Sequence, residues 1–178
     1  MRKMFLITML ASAFAACNND KKVEAANETK DVKPAMTLAY TPAYSSSFEI
    51  GKPEYAAMIV QGSWKDWENN SMDNMKSWVA DTIIALHSDN GMVQGVDSLQ
   101  ARWKRDRARY TSVIDTIHSV TAMYSTDKKE NWVLVWAKEI DVDNQGKKDT
   151  IELMETWRIN KDGKADRLYQ YDRHARKK

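Results

Sequence analysis

The sequence predicts an α+β domain in which helices come first and a mostly antiparallel sheet follows. Three observations carry that prediction. Between Pro53 and Tyr110 apolar residues recur at the three-and-four spacing of helices. From Ser112 onward the period becomes two, the mark of strands. The turn Lys161-Asp162-Gly163-Lys164 joins the final pair of strand-like runs, and Asp-Gly tolerates the positive φ that a tight hairpin demands. Helical runs followed by a strand meander segregate into the two layers of an α+β fold.

Taken in order, the chain opens with an export leader over residues 1–16. Arg2 and Lys3 are its charged start, Met4 to Leu10 an apolar stretch too short to span a bilayer, and Ala15-Ala16 the small residues a peptidase needs. With Cys17 directly after them, the segment is similar to the lipobox of bacterial lipoproteins, with Phe14 where that pattern carries Leu. The resemblance implies cleavage before Cys17, lipid on its sulfur, and a bacterial cell-envelope location held at a membrane through that lipid. Asn18 in place of the aspartate that retains some lipoproteins on the inner membrane favours the outer membrane. An ordinary secretory cut near Ala16 is the alternative. Acyl chains contribute about 0.8 kcal/mol per buried CH₂, enough in combination to anchor a domain without a transmembrane helix. Cys17 is the single cysteine, so no intramolecular disulfide supports the fold. The net charge of +2 is the contribution of Arg2 and Lys3, so a cleaved chain is neutral and lacks the general attraction to polyanions expected of a nucleic-acid binder.

Residues 17–47 read as the lipidated cysteine and a flexible tether: polar, small, carrying Pro34, Pro42 and Ser45-Ser46-Ser47, without helical or strand period. Residues 48–178 are the domain. Pro53 suits a first helical position, and Tyr55, Met58, Ile59 and Gly62 with Ala57, Val60, Trp64 and Trp67 form a wide buried stripe ended by Glu68-Asn69-Asn70. Ser71 and Asp73 start a second short helix carrying Met72, Met75 and Trp78. Ala80 to His87 reads as a buried strand closed by Ser88-Asp89-Asn90-Gly91. Gly95 leads into a third helix running through Trp103 to about Tyr110. Four strands follow over Ser112 to Tyr124, Asn131 to Val142, Asp149 to Asn160 and Ala165 to His174.

This order of parts resembles the NTF2-like superfamily and, within it, the SnoaL-like group. The carriers are Trp64-Lys65-Asp66-Trp67 through Met75, Trp78-Val79-Ala80-Asp81-Thr82-Ile83, Gly95, Trp157-Arg158-Ile159-Asn160 through Lys164, and Tyr171-Asp172. The resemblance implies an NTF2-like cone, N-terminal helices packed on a strongly curved mostly antiparallel sheet around an apolar pocket, and pairing of domains through their sheets. The residues agree on the last point. Trp132, Leu134, Trp136, Ile140 and Val142 line one face of a strand while Val133, Val135 and Ala137 make the other apolar too. Helices can cover only one of them, so a homodimer through the other is expected.

Seven tryptophans dominate the candidate site. Each could simply fill core, but an indole needs a partner for its N–H when buried, so several together also suit a cavity for a flat or cyclic apolar molecule. By resemblance, pocket walls come from the first two helices and the inner sheet face, which implies Trp64, Trp67, Trp78 and Trp157 as ligand-binding residues. Enzymes of the superfamily use a pocket carboxylate, or an aspartate with a histidine, to move protons. The sequence offers His87, His118, Asp81, Asp115 and Asp172, of which His87 with Asp172 is the catalytic pair favoured here. The same two residues read as a structural histidine and a solvated strand-end aspartate. Scattered histidines and the absence of a glycine-rich phosphate loop leave no expected metal or cofactor.

The basic run Arg102-Trp103-Lys104-Arg105-Asp106-Arg107-Ala108-Arg109-Tyr110 reads as the exposed side of a docked helix, with contact to anionic head groups as a secondary role and nucleic acid not expected. Three functions remain open: an envelope-anchored binder of a small apolar or aromatic molecule without catalysis, which the sequence favours; a proton-transfer isomerase, cyclase or hydratase of the same fold; and a structural docking subunit.

Overall fold

The computed structural model describes residues 38–174, so Cys17, the leader and most of the tether lie outside the described residues. A short strand β1 (Phe48–Ile50) precedes the first helix, which is continuous from α1 (Pro53–Ile59) through a π-helical stretch (Val60–Lys65) to α2 (Asp66–Glu68). A 3₁₀ turn (Met72–Asn74) leads into α3 (Met75–Trp78), followed by β2 (Val79–Leu86), β3 (Met92–Gln94) and α4 (Val96–Arg107). The strands β4 (Tyr110–Ser125), β5 (Glu130–Asp143), β6 (Lys148–Ile159) and β7 (Ala165–His174) match the expected runs to within two residues at each end. The short strands β1 and β3, three residues each, are additions that no period could announce.

All seven strands join one sheet in the order β1-β4-β5-β6-β7-β2-β3. Among the described residues only β2 and β7 pair in parallel. Bulges fall in β4 between Ile117 and Ser119 and in the β6–β7 ladder between Arg158 and Ile159. Such bulges bend and twist their strands, which curves the sheet around the helices. The helices cover the face of β5 that carries Val133, Val135 and Ala137, all buried. The opposite face carries Trp132, which is buried between Tyr44, edge-on at 6.0 Å, and Tyr169, stacked at 6.5 Å. Further along that outer face Ile114, Trp136 and Tyr171 stay exposed.

Two details differ from the sequence reading. Residues 44–47, placed in the tether, are bound to the β4–β5 turn: Tyr44 donates to Glu130, and Ser45 Oγ donates to Asp127 at 2.7 Å. Ser47 O accepts from the backbone of Thr126 at 2.9 Å. Arg107, expected on the exposed basic side, is buried instead. Its guanidinium donates to the carbonyls of Trp67 (2.8 Å) and Glu68 (3.1 Å) at the end of the first helix and of Tyr110 (2.9 Å) at the start of β4. The other cations of the basic run are paired, Lys104 with Asp73, Arg102 with Asp89 and Asp106, and Arg105 and Arg109 with Asp106.

Gly62 sits where the π-helical stretch crosses the Trp78 indole. A Cβ there would lie 2.5 Å from Trp78 Cε2, and Trp78 is itself wedged edge-on against Trp157 at 5.6 Å. The ring therefore has nowhere to move. Gly62→Ala gains about 1 kcal/mol of helix propensity and loses about 1–3 kcal/mol to overpacking. Thermal unfolding of the variant is expected at a lower temperature than the wild type, and an unchanged or raised midpoint would contradict this packing.

Candidate functional site

The cone is not filled. A cavity of about 380 Å³ opens at the end of the sheet where β4 and β6 begin and β5 and β7 end. Trp64, Trp67 and Trp103 wall it from the helical side, and Glu139, Leu153, Glu155, Gln170 and Asp172 reach it from the strands. Of the residues singled out in the sequence, Trp64, Trp67, His87 and Asp172 line this cavity. Trp78 and Trp157 lie in the core instead, where they pack against each other. His87 and Asp172 share the cavity without a hydrogen bond between them among the described residues. Asp172 accepts from Ser88 Oγ at 2.5 Å and lies 3.7 Å from His174 Nε2, whereas His87 turns to Gln170. Asp81 is exposed, and His118 sits half exposed on the outer face, 3.5 Å from Glu152.

The group most deeply set in the cavity is Glu155. Sheet register puts it directly opposite Val135 on one side and Gln170 on the other, one layer beyond the core row Val133, Trp157 and Leu168. Its Oε2 accepts from Trp157 Nε1 at 2.9 Å and from Ser63 Oγ at 3.4 Å, and its Oε1 accepts from Gln170 Nε2 at 3.0 Å. Burial pushes its pKa above the usual carboxylate range, against the pull of those donors. His87 Nδ1 meets Gln170 Oε1 at 3.3 Å. Burial, aided by the nearby Arg102 charge, lowers the histidine's pKa and keeps it neutral.

A second set of acids lies on the same face of the sheet, and one of them, Glu139, lines the cavity. Asp115 and Glu139 are cross-strand partners, and Asp141 follows on the same buried face of β5. Burial, with Asp141 and Asp115 beside it, pushes Glu139 up to about 9. Burial and the Glu68 charge push Asp115 up to about 7, and burial raises Asp141 as well. Three carboxyls this close cannot all ionise away from water, so protons stay among them at neutral pH. Among the described residues no group of three or more His, Cys, Asp or Glu side chains is arranged to hold a metal ion.

Glu139, Glu155 and Gln170 were not picked out from the sequence. The available signal was parity: Glu139 and Asp141 continue the Val133, Val135, Ala137 series, and Glu155 continues Trp157 and Ile159. An acid on the apolar parity of a strand is a buried acid. With both faces of β5 apolar, the inward one could not be chosen.

No family model matches the chain, and no curated protein matches it. Solved structures do. An LEH-like epoxide hydrolase of M. tuberculosis is 13% identical with a TM-score of 0.56, over 68% of this chain and 84% of that one. A protein named as a SnoaL-like polyketide cyclase, from Jannaschia sp. CCS1, is 12% identical with a TM-score of 0.55, over 67% and 83%. The Δ5-3-ketosteroid isomerase of Mycobacterium sp. is 14% identical with a TM-score of 0.53, over 68% and 98%. Likeness at these identities is likeness of fold. The chain has the NTF2-like, SnoaL-like fold, a cone of helices on a curved, mostly antiparallel sheet with room for a small molecule.

The raised carboxyls set the pH dependence of stability. A carboxyl whose folded pKa exceeds its unfolded one stabilises the fold fully below the unfolded value, and that contribution is lost as pH rises toward the folded value. Between the usual carboxylate range and about 9, Glu139 therefore destabilises the fold by up to about 1.4 kcal/mol per pH unit. Urea denaturation across that window is expected to show falling stability with rising pH and a shallower fall in Glu139→Gln. A slope identical in both proteins would remove Glu139 from the account.

Proposed function

We propose that the chain binds a neutral apolar or aromatic small molecule in this cavity and moves a proton on it, with Glu155 as the base. The observation that carries the reading is a buried carboxyl with raised pKa lining a tryptophan-walled cavity. In a substrate with a C–H bond next to a carbonyl, Glu155 takes the proton, the C–H electron pair becomes a C=C bond, and the C=O π pair moves onto the carbonyl oxygen. The protonated Glu139, across the cavity, is the donor suited to that developing oxyanion. Return of the proton from Glu155 to a different carbon completes an isomerisation, and its return after ring closure completes a cyclisation. The neighbouring structures named as isomerase, cyclase and epoxide hydrolase support chemistry of this kind on this fold.

Binding without catalysis rests on the same walls, Trp64, Trp67 and Trp103, but gives Glu155 and Glu139 no task. The docking reading draws least support, because a docking subunit has no use for a cavity. Deuterium incorporation into a panel of enolisable cyclic ketones in heavy water, followed by NMR, tests the proposal. Wild type is expected to exchange the proton next to the carbonyl, and Glu155→Gln to lose roughly 10²–10⁴-fold in rate, the range for one general base. Exchange equal in the two proteins would sink the assignment.

We further propose that Cys17 is lipidated, that the domain stands at the bacterial cell envelope, and that two copies pair through the outer sheet face bearing Ile114, Trp136 and Tyr171. Among the described residues no helix is long and apolar enough to cross a membrane. Native mass spectrometry of the chain extracted from a bacterial membrane is expected to give a dimer carrying acyl mass, lost in Cys17→Ser. A monomer, or a chain without lipid, would overturn the corresponding part.

A further inference from the structure

We propose that Gln170 couples the protonation of Glu155 to the tautomer of His87. With Glu155 ionised, His87 carries its proton on Nδ1 and leaves a lone pair on Nε2; with Glu155 protonated, His87 carries it on Nε2.

The inference follows from what each atom can do. An ionised carboxylate only accepts, so the Gln170 atom 3.0 Å from Glu155 Oε1 is its amide nitrogen. That fixes the other end. The amide oxygen faces His87 Nδ1 at 3.3 Å, and an oxygen there calls for Nδ1–H. The ring is neutral, so Nε2 is left bare, and it is buried with no partner among the described residues. When Glu155 gains a proton, its two oxygens are not equivalent. Oε2 already accepts from Trp157 Nε1, which can only donate, and from Ser63 Oγ, so a proton there would confront an N–H. Oε1 accepts from one group, an amide that inverts by a half turn. Inverted, Gln170 offers its oxygen to Glu155 O–H and its nitrogen to His87 Nδ1, which must then be the acceptor. One proton enters the set, at Glu155. The imidazole exchanges Nδ1–H for Nε2–H through solvent with its own proton count unchanged.

The surrounding charges leave this trio free to act. Around His87 stand Arg102 and Asp106 of α4, Asp89 of the turn after β2, and Asp172 of β7, which is held by Ser88 beside it. Toward Glu155 stand Ser63 and Trp64 of the first helix and, from the sheet, Asp115; Glu139 lines the same cavity. Arg102 is held by Asp89 at 2.7 Å and Asp106 at 3.4 Å, so none of these charges bonds to the amide in place of its two partners.

The coupling deepens the proton-transfer reading and rests on it for its use: as the base takes a proton, Nε2 turns from a lone pair into a donor. Gln170 is a positioning residue in this scheme, since it acts through the other two. The test is a pH titration of the full chain, labelled with ¹⁵N at histidine and read through the ring-nitrogen shifts, which separate the two neutral tautomers. No ligand is needed, so a failure here is distinct from a failure of the deuterium-exchange assay. His87 is expected as the Nδ1–H tautomer at alkaline pH, crossing to Nε2–H as Glu155 protonates on acidification. The crossing is expected to vanish in Gln170→Leu and in Glu155→Gln. A wild-type histidine fixed in one tautomer across the titration would overturn the coupling, as would a crossing that survives in either variant.

Discussion

Trp157 is the point on which both the core and the cavity depend. Its ring is fully buried, with Trp78 edge-on at 5.6 Å and Trp103 edge-on at 6.2 Å, and Trp103 in turn meets Trp67 at 6.0 Å. Edge-to-face pairs of this kind add about 0.5–1.5 kcal/mol each beyond the area they bury. The chain of rings ties α2, α3 and α4 to the middle of the sheet, and the close approach of Gly62 to Trp78 locks the first helix onto it. The same indole turns its N–H to Glu155. A leucine at this position would leave part of the space empty and the cavity carboxyl with one donor fewer, so the indole serves both the core and the cavity.

The register of the sheet converts that wedge into a graded interior. Val133, Trp157 and Leu168 form one cross-strand row; Val135, Glu155 and Gln170 the next; Ala137, Leu153 and Asp172 the third; Glu139, Ile151 and His174 the fourth. The first row is wholly apolar, and every later row toward the open end carries at least one ionisable side chain. Over the later rows the helical side supplies Trp64, Trp67 and Trp103 as a wall without filling the space between wall and sheet, and that space is the cavity. Burial makes charge costly at these depths: it raises Glu155, and it pushes Glu139 up to about 9, which leaves Glu139 holding a proton at neutral pH. Function and destabilisation thus come from one placement.

Much of this was legible in the residues. The long strands β4 to β7, the helices and the Asp162-Gly163 hairpin follow from period and turn chemistry, and Gly163 does take φ 77°. What the chain does not announce is which side of a doubly apolar strand faces in. Trp132 and Trp136 invite the wrong parity, because large aromatics suggest a core; in fact Tyr44 and Tyr169 cover Trp132 from outside, and Trp136 is left partly bare. Arg107 was misread for a related reason. Its spacing belongs to the basic side of α4, but three carbonyls at the end of the first helix and the start of β4 needed a fork of donors, and that demand is visible only when the segments meet.

The charges around the cavity also argue what kind of molecule enters it. An anionic ligand would look to Arg102 and Arg109, but both are already engaged by Asp106, and Arg102 by Asp89 as well. A cationic ligand would look to Glu139 and Glu155, but burial disfavours the charged form of both, and ionising Glu139 would also meet the repulsion of Asp141 and Asp115. A neutral molecule has neither cost. It would gain from the indole faces of Trp64, Trp67 and Trp103 and would meet, among them, the two carboxyls proposed to take a proton from it and to donate one to it, Glu155 and Glu139.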